Sequence, residues 1–167
     1  VRAAALPPGA MGLLRAGGLL LVTVFALKAA LAPLHLWLPR TYGSTAPAVA
    51  ALFAIMTKVG AYAIIRTVPL IFGDWVGQLL LPAALVAMLL GFVGLLAARG
   101  LRDMAAFGLI GSTATLLVAV AQFDQRAMAA ALFYLPHTTL AAALLFLAID
   151  LIIRGRPAEG DSSVPTS

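Results

Sequence analysis

The sequence predicts an all-α polytopic membrane protein of about five transmembrane helices, and three observations carry that prediction. Hydrophobic residues make up 63% of the chain and charged residues 10%, with a mean hydropathy of +1.07; soluble domains average about 25% charged, and no water-soluble core could bury this much apolar surface. The 167 residues hold about five spans of roughly 20 residues with short connections. The apolar runs are separated by breaks that each contain charge, Gly or Pro, as turn chemistry requires.

The first run, Met11 to Leu36, contains Lys28 and continues Ala-Ala-Leu-Ala-Pro33-Leu-His35-Leu-Trp37-Leu-Pro39. Pro33 lacks an N–H and its ring clashes with the carbonyl of Ala29, so the helix is expected to break near Pro33. In a bilayer, irregular backbone is tolerated where protein or cavity water satisfies it, a common mark of transport sites. Trp37 to Thr45, with Pro39 and Gly43, reads as a connection. The second run, Ala46 to Phe72, carries Thr57, Lys58 and Gly60, and ends at Gly73-Asp74-Trp75. In the third, Val76 to Ala98, Gly91 and Gly94 point, like Gly60, to close helix approach. Arg99 to Asp103 leads to the fourth, Met104 to Gln122, which holds the polar patch Ser112, Thr113 and Thr115. Phe123 to Arg126 leads to the fifth, Ala127 to Ile153, expected to kink at Pro136, where the carbonyl of Leu132 loses its donor.

Residues 1–153 therefore read as one helical bundle. The remainder, RGRPAEGDSSVPTS over 154–167, is a polar tail too poor in apolar residues to fold, and is expected to be disordered. The chain begins with Val and shows no signal segment before its first span, so it is expected to be a piece of a longer protein. With an odd number of spans, Arg40, Arg99, Arg102, Arg154 and Arg156 share one side, against Arg2, Arg15, Arg126 and Arg66. That excess places the C-terminal end in the cytoplasm, and Trp37, Tyr42 and Trp75 near run ends fit an interfacial role.

A formal charge of +5 does not indicate nucleic acid, because the arginines are scattered singly or in pairs without interleaved aromatics. Cysteine is absent, which excludes disulfides and thiolate metal sites. No phosphate loop, paired catalytic carboxylates, nucleophile elbow or metal-spaced histidine cluster appears, so no enzyme chemistry, cofactor or metal is expected.

Both lysines lie inside apolar runs, whereas the nine arginines sit at or near run edges or in the tail. A lysine near the bilayer centre costs about 2.5–3.5 kcal/mol on insertion scales, so it normally faces a partner or a wet cavity. Lysine, unlike arginine, can release its proton in such surroundings. Lys28 lies ten residues from Gly18 and nine from Trp37, roughly 14 Å from each at 1.5 Å per residue, of which snorkelling covers only part. The competing reading for both lysines is a stem packed on neighbours with its head among headgroups.

Asp150, the one carboxylate near a span interior, stands at i,i+4 from Arg154 and is expected to pair with it. A partner for Lys28 must then come from outside this chain. His35 and His137 could relay protons, or serve only as hydrogen-bonding residues between helices. Tyr134 and Thr138 could orient the His137 ring. Ser112, Thr113 and Thr115 could line a water path but more often act as interhelical glue, Thr57 is a further accessory candidate, and Arg66, Arg99 and Arg102 read as interface anchors.

The run Lys28 to Pro39, then Ala46-Pro47, then Thr57-Lys58-Val-Gly-Ala-Tyr62-Ala-Ile-Ile-Arg66, resembles the proton-conducting antiporter family shared by respiratory complex I and the Mrp-type multisubunit monovalent cation/proton antiporters. The fifth run, with Tyr134, Pro136-His137-Thr138-Thr139 and Asp150, is most similar to the D-type subunits of proteobacterial Mrp complexes. The resemblance covers everything except the tail. It implies helices seven to eleven of about fourteen, with Lys28 as the seventh-helix lysine normally paired with a fifth-helix glutamate, Lys58 as the eighth-helix lysine, and His137 as the eleventh-helix histidine. It further implies a lateral proton path through these three in a bacterial cytoplasmic (inner) membrane, with other antiporter subunits, membrane lipid, protons and monovalent cations as partners. The chain departs from the pattern at Ala142, where many relatives have lysine, and at Asp103, where they often continue with a basic residue. Two rivals stand beside the Na+(K+)/H+ antiporter reading: a proton-pumping subunit of complex I or of a membrane-bound hydrogenase, and a scaffold whose lysines conduct nothing.

Overall fold

The computed structural model describes residues 8–71 and 77–155, all of whose regular structure is helical: α1 Pro8–Lys28, α2 Trp37–Ser44, α3 Pro47–Ile71, α4 Gly77–Ala97, α5 Leu101–Ala121 and α6 Gln125–Arg154. Among the described residues, four segments are long and apolar enough to cross a membrane: Pro47–Val68, Gln78–Ala97, Leu101–Ala121 and Gln125–Arg154. Gly73-Asp74-Trp75 and most of the polar tail lie outside the described residues.

The first run breaks as expected, but the break comes before Pro33. α1 ends at Lys28 because Ala30 adopts the left-handed conformation, φ 53°. The Leu31 N–H then donates to the Ala26 carbonyl at 2.9 Å and the Ala30 N–H to the Leu27 carbonyl at 3.1 Å. These are the two bonds of a Schellman end, which satisfies carbonyls that a helix otherwise leaves bare. The Trp37 Nε1–H also donates to the Leu27 carbonyl, at 3.0 Å. The broken stretch is therefore tied to α1 rather than loose.

The expected connection from Trp37 to Thr45 is instead mostly helical. Pro39 is only the third residue of α2, where its missing N–H would have had no intrahelical partner. One face of this short helix buries Leu38 and Tyr42, four residues apart. The helix of the fourth run likewise begins before the run itself, at Leu101 rather than Met104. Gly100 is extended (φ −144°, ψ 156°) and Asp103 falls in the first turn of α5, where a carboxylate suits the positive end of the helix. Asp124 caps α6: its Oδ2 accepts from the N–H groups of Arg126 at 3.0 Å and Ala127 at 3.3 Å. α6 then runs through Pro136 as one helix of 30 residues, so the expected kink is not a break there.

Helix α5 is the most enclosed, packed mainly against α4, α6 and α2. The glycines on α4 permit this: a Cβ on Gly91 would lie 2.6 Å from the Gly111 backbone nitrogen, and one on Gly94 would strike the Phe107 ring. One apolar cluster joins the break after α1 to α3, α4 and the second half of α5; the other joins α2, the first half of α3, the first half of α5 and the far end of α6. Outward faces remain strongly apolar, with Phe133, Leu89 and Leu151 exposed, a surface suited to lipid or to further helices. At the end of α6, Arg154 Nε lies 3.0 Å from Asp150 Oδ2, the pair expected from their spacing.

Candidate functional site

Lys58 lies on the buried face of α3, 1% exposed. Its Nζ donates to Ser112 Oγ and to Thr113 Oγ1, both at 2.9 Å. Each hydroxyl donates in turn to the Leu109 carbonyl, at 3.0 and 2.8 Å. With their hydrogens committed to that carbonyl, both oxygens face the amine as acceptors. An ammonium has three N–H groups, so two are held and the third is available. A neutral amine keeps two, enough to satisfy the same hydroxyls. The cradle therefore accommodates Lys58 in either protonation state. Among the described residues the one ion pair is Arg154–Asp150, so dipoles rather than a carboxylate hold this amine.

Lys28, the last residue of α1, is exposed at a cleft of about 720 Å³ whose lining includes Trp37, Thr41, Tyr42, Phe53 and Thr57. A cation at this end of a helix faces the negative end of its dipole. Gly60 brings α3 against it: a Cβ at Gly60 would lie 3.0 Å from both Ala29 N and Lys28 Cβ. Thr57, 1% exposed, donates to the Ala54 carbonyl at 2.8 Å.

His35 sits in the broken stretch, 8% exposed, and its Nδ1 has no hydrogen-bond partner. His137 stands apart on an exposed face of α6, its ring centroid 6.3 Å from that of the half-buried Tyr134. Thr138 is buried on the same helix. Thr115 is exposed and donates to the Gly111 carbonyl of its own helix at 2.9 Å. The structure thus groups Lys58 with Ser112 and Thr113, and Lys28 with Thr57 on the cleft, while His137 belongs to neither group.

The residue missed by sequence reasoning is Tyr42, read as interfacial but 0% exposed. Its hydroxyl lies beside that of Thr57, without a hydrogen bond of ordinary length and angle. The Leu38 and Tyr42 spacing was the available signal, obscured by Pro39.

The family model for NADH:quinone oxidoreductase/Mrp antiporter transmembrane proteins matches residues 9–161. The chain is 38% identical over 165 residues to a probable K(+)/H(+) antiporter D-type subunit of Rhizobium meliloti, covering 95% of this chain and 31% of that protein. It is 35% identical over 140 residues to a Na(+)/H(+) antiporter D-type subunit of Alkalihalophilus pseudofirmus, covering 81% and 28%. A chain in the structure of the Mrp complex from Dietzia sp. superposes with a TM-score of 0.78 at 32% identity, over 83% of this chain and 26% of that one. The chain thus spans under a third of the length of these relatives. A match over nearly the whole chain, agreeing in sequence and in fold, means that this protein belongs to the NADH:quinone oxidoreductase/Mrp antiporter transmembrane family.

Proposed function

We propose that this chain is part of a proton-conducting subunit of a Mrp-type Na+(K+)/H+ antiporter in a bacterial cytoplasmic membrane, working with the other subunits of that complex. The relatives named as antiporter subunits support the class. In this reading α1, α3, α4, α5 and α6 are five spans, with the C-terminal end in the cytoplasm. Lys28 and Lys58 exchange a proton that continues toward His137, the last stage passing through water or through parts of the full-length protein beyond this chain.

The observation that carries the proposal is the cradle around Lys58, which fits the amine with or without its extra proton. Its strength is of a useful size. A hydrogen bond from a charged group contributes about 1.5–3 kcal/mol, and moving one charge through 100 mV is worth about 2.3 kcal/mol. The driving force can therefore load and unload a group held in this way.

The test is Lys58→Ala and Lys28→Ala in the full-length subunit, assembled with its partners in inverted vesicles, following proton movement on addition of Na+ or K+. Both substitutions are expected to abolish cation-driven proton movement while the complex still assembles. Undiminished transport in both would leave the scaffold reading in place.

A further inference from the structure

Most polar groups around the cleft beside Lys28 donate to backbone carbonyls. Thr41 Oγ1 donates to the Trp37 carbonyl at 2.8 Å, Thr57 Oγ1 to the Ala54 carbonyl at 2.8 Å, and Trp37 Nε1 to the Leu27 carbonyl at 3.0 Å. The Tyr42 hydroxyl differs: it is buried beside Thr57, closes on no backbone carbonyl and makes no hydrogen bond of ordinary length and angle. Its ring is held among Trp37, Phe53 and Phe146, at centroid distances of 6.4, 6.2 and 5.4 Å. Apolar packing fixes the ring, and phenylalanine would fill the same space. A buried hydroxyl without a partner is a cost to the fold and calls for an explanation.

We propose that the Tyr42 hydroxyl is a proton-transfer group at the inner wall of the cleft, between Lys28 and the part of α3 that carries Thr57 and Lys58. The inference rests on the proton-carrying role proposed above. Tyr42 and Lys28 line one cleft together with Thr57, the residue before Lys58. In the transfer, a proton arriving on water from the Lys28 side forms an O–H bond to the phenol oxygen as the existing O–H bond breaks. The released proton leaves on water toward the neutral amine of Lys58. Tyrosine ends as the neutral phenol, and nothing is oxidised or reduced.

The experiment is Tyr42→Phe in the full-length subunit within its assembled complex, with Lys58→Ala in parallel. Tyr42→Phe is expected to slow cation-driven proton movement at least tenfold and to alter its solvent deuterium isotope effect, with assembly unchanged. Wild-type rates in Tyr42→Phe, with Lys58→Ala inactive, overturn this inference and leave the proposed function standing. Wild-type rates in both overturn both. If Tyr42→Phe does not assemble, 3-fluorotyrosine at this position keeps the hydroxyl and the packing while making the phenol more acidic. A changed rate and isotope effect then support the transfer role, and unchanged ones overturn it.

Discussion

Replacing Gly60 by alanine asks whether the end of α1 must lie against α3 for the two lysines to work together. The new Cβ would lie 3.0 Å from Ala29 N, 3.0 Å from Lys28 Cβ and 3.2 Å from the Lys28 carbonyl carbon. Two of these are backbone atoms, so rotation of a side chain cannot relieve the contact. The end of α1 has to retreat by a few tenths of an ångström. Overpacking of this kind costs about 1–3 kcal/mol, and alanine in place of a helical glycine returns about 0.8–1 kcal/mol. The net loss is therefore about 0–2 kcal/mol, a small fall in thermal midpoint for the purified complex. Transport should fall further than stability does, because the displaced residue is Lys28 itself. Gly111→Ala is the control: the three atoms nearest its Cβ would be Phe92 ring atoms at 3.5–3.8 Å, ordinary contact. That substitution should hold or raise the thermal midpoint and keep transport. Inverted-vesicle transport and a melting curve on both variants decide the matter. Equal damage from the two substitutions, or full transport in Gly60→Ala, would refute the steric argument.

Two further outcomes follow from the same geometry. Lys58→Met removes the buried amine but strands no donor, since Ser112 and Thr113 remain bonded to the Leu109 carbonyl; its thermal midpoint should stay at or above that of the wild type while transport is lost, and a steep fall in midpoint would contradict this cradle. Asp124→Ala removes the cap on the N–H groups of Arg126 and Ala127 and should cost about 1 kcal/mol, typical of such caps, seen as a lower thermal midpoint with little change in transport.

Helix positions could be read because hydropathy and Gly or Pro punctuation act locally. The five apolar runs each overlap one long helix, and the i,i+4 spacing of Asp150 and Arg154 was enough to foresee their pair. The polar and proline pattern around Lys28 and Lys58 pointed to the family that the sequence and structural comparisons identify. The exact end of α1 could not be read, because the left-handed residue that closes it is an alanine, whereas glycine is the usual marker. α2 was hidden for a related reason: Pro39 breaks a helix interior but not a first turn. The acceptors of Lys58 were read only as a polar patch. Their role depends on how α3 and α5 are rotated against each other, which no local pattern in either helix specifies. The outward position of His137 likewise follows from the packing of α6, not from its sequence.

The local costs of this fold are unevenly placed, and their placement bears on function. Of the three buried side-chain polar atoms without partners among the described residues, two are His35 Nδ1 and the Tyr42 hydroxyl. Among the described residues, one of the two non-glycine residues with positive φ is Ala30, the other being Phe123. A left-handed alanine costs roughly 1–2 kcal/mol, and each unpaired buried polar group about 1–3 kcal/mol. Glycine at position 30 would remove the backbone cost, although it would also remove a buried methyl group; phenylalanine at position 42 would remove an unpaired hydroxyl while keeping the ring. Stability alone thus favours a different residue at Tyr42, with little loss of packing. Such departures gather where a chain is constrained by what it does as well as by how it folds. Here three of the five fall between Ala30 and Tyr42, directly after Lys28 and around the cleft that it shares with Thr57, while Arg102 Nε and Phe123 lie at the two ends of α5. The broken first run, where the proposed proton path begins, thus carries the larger share of these costs.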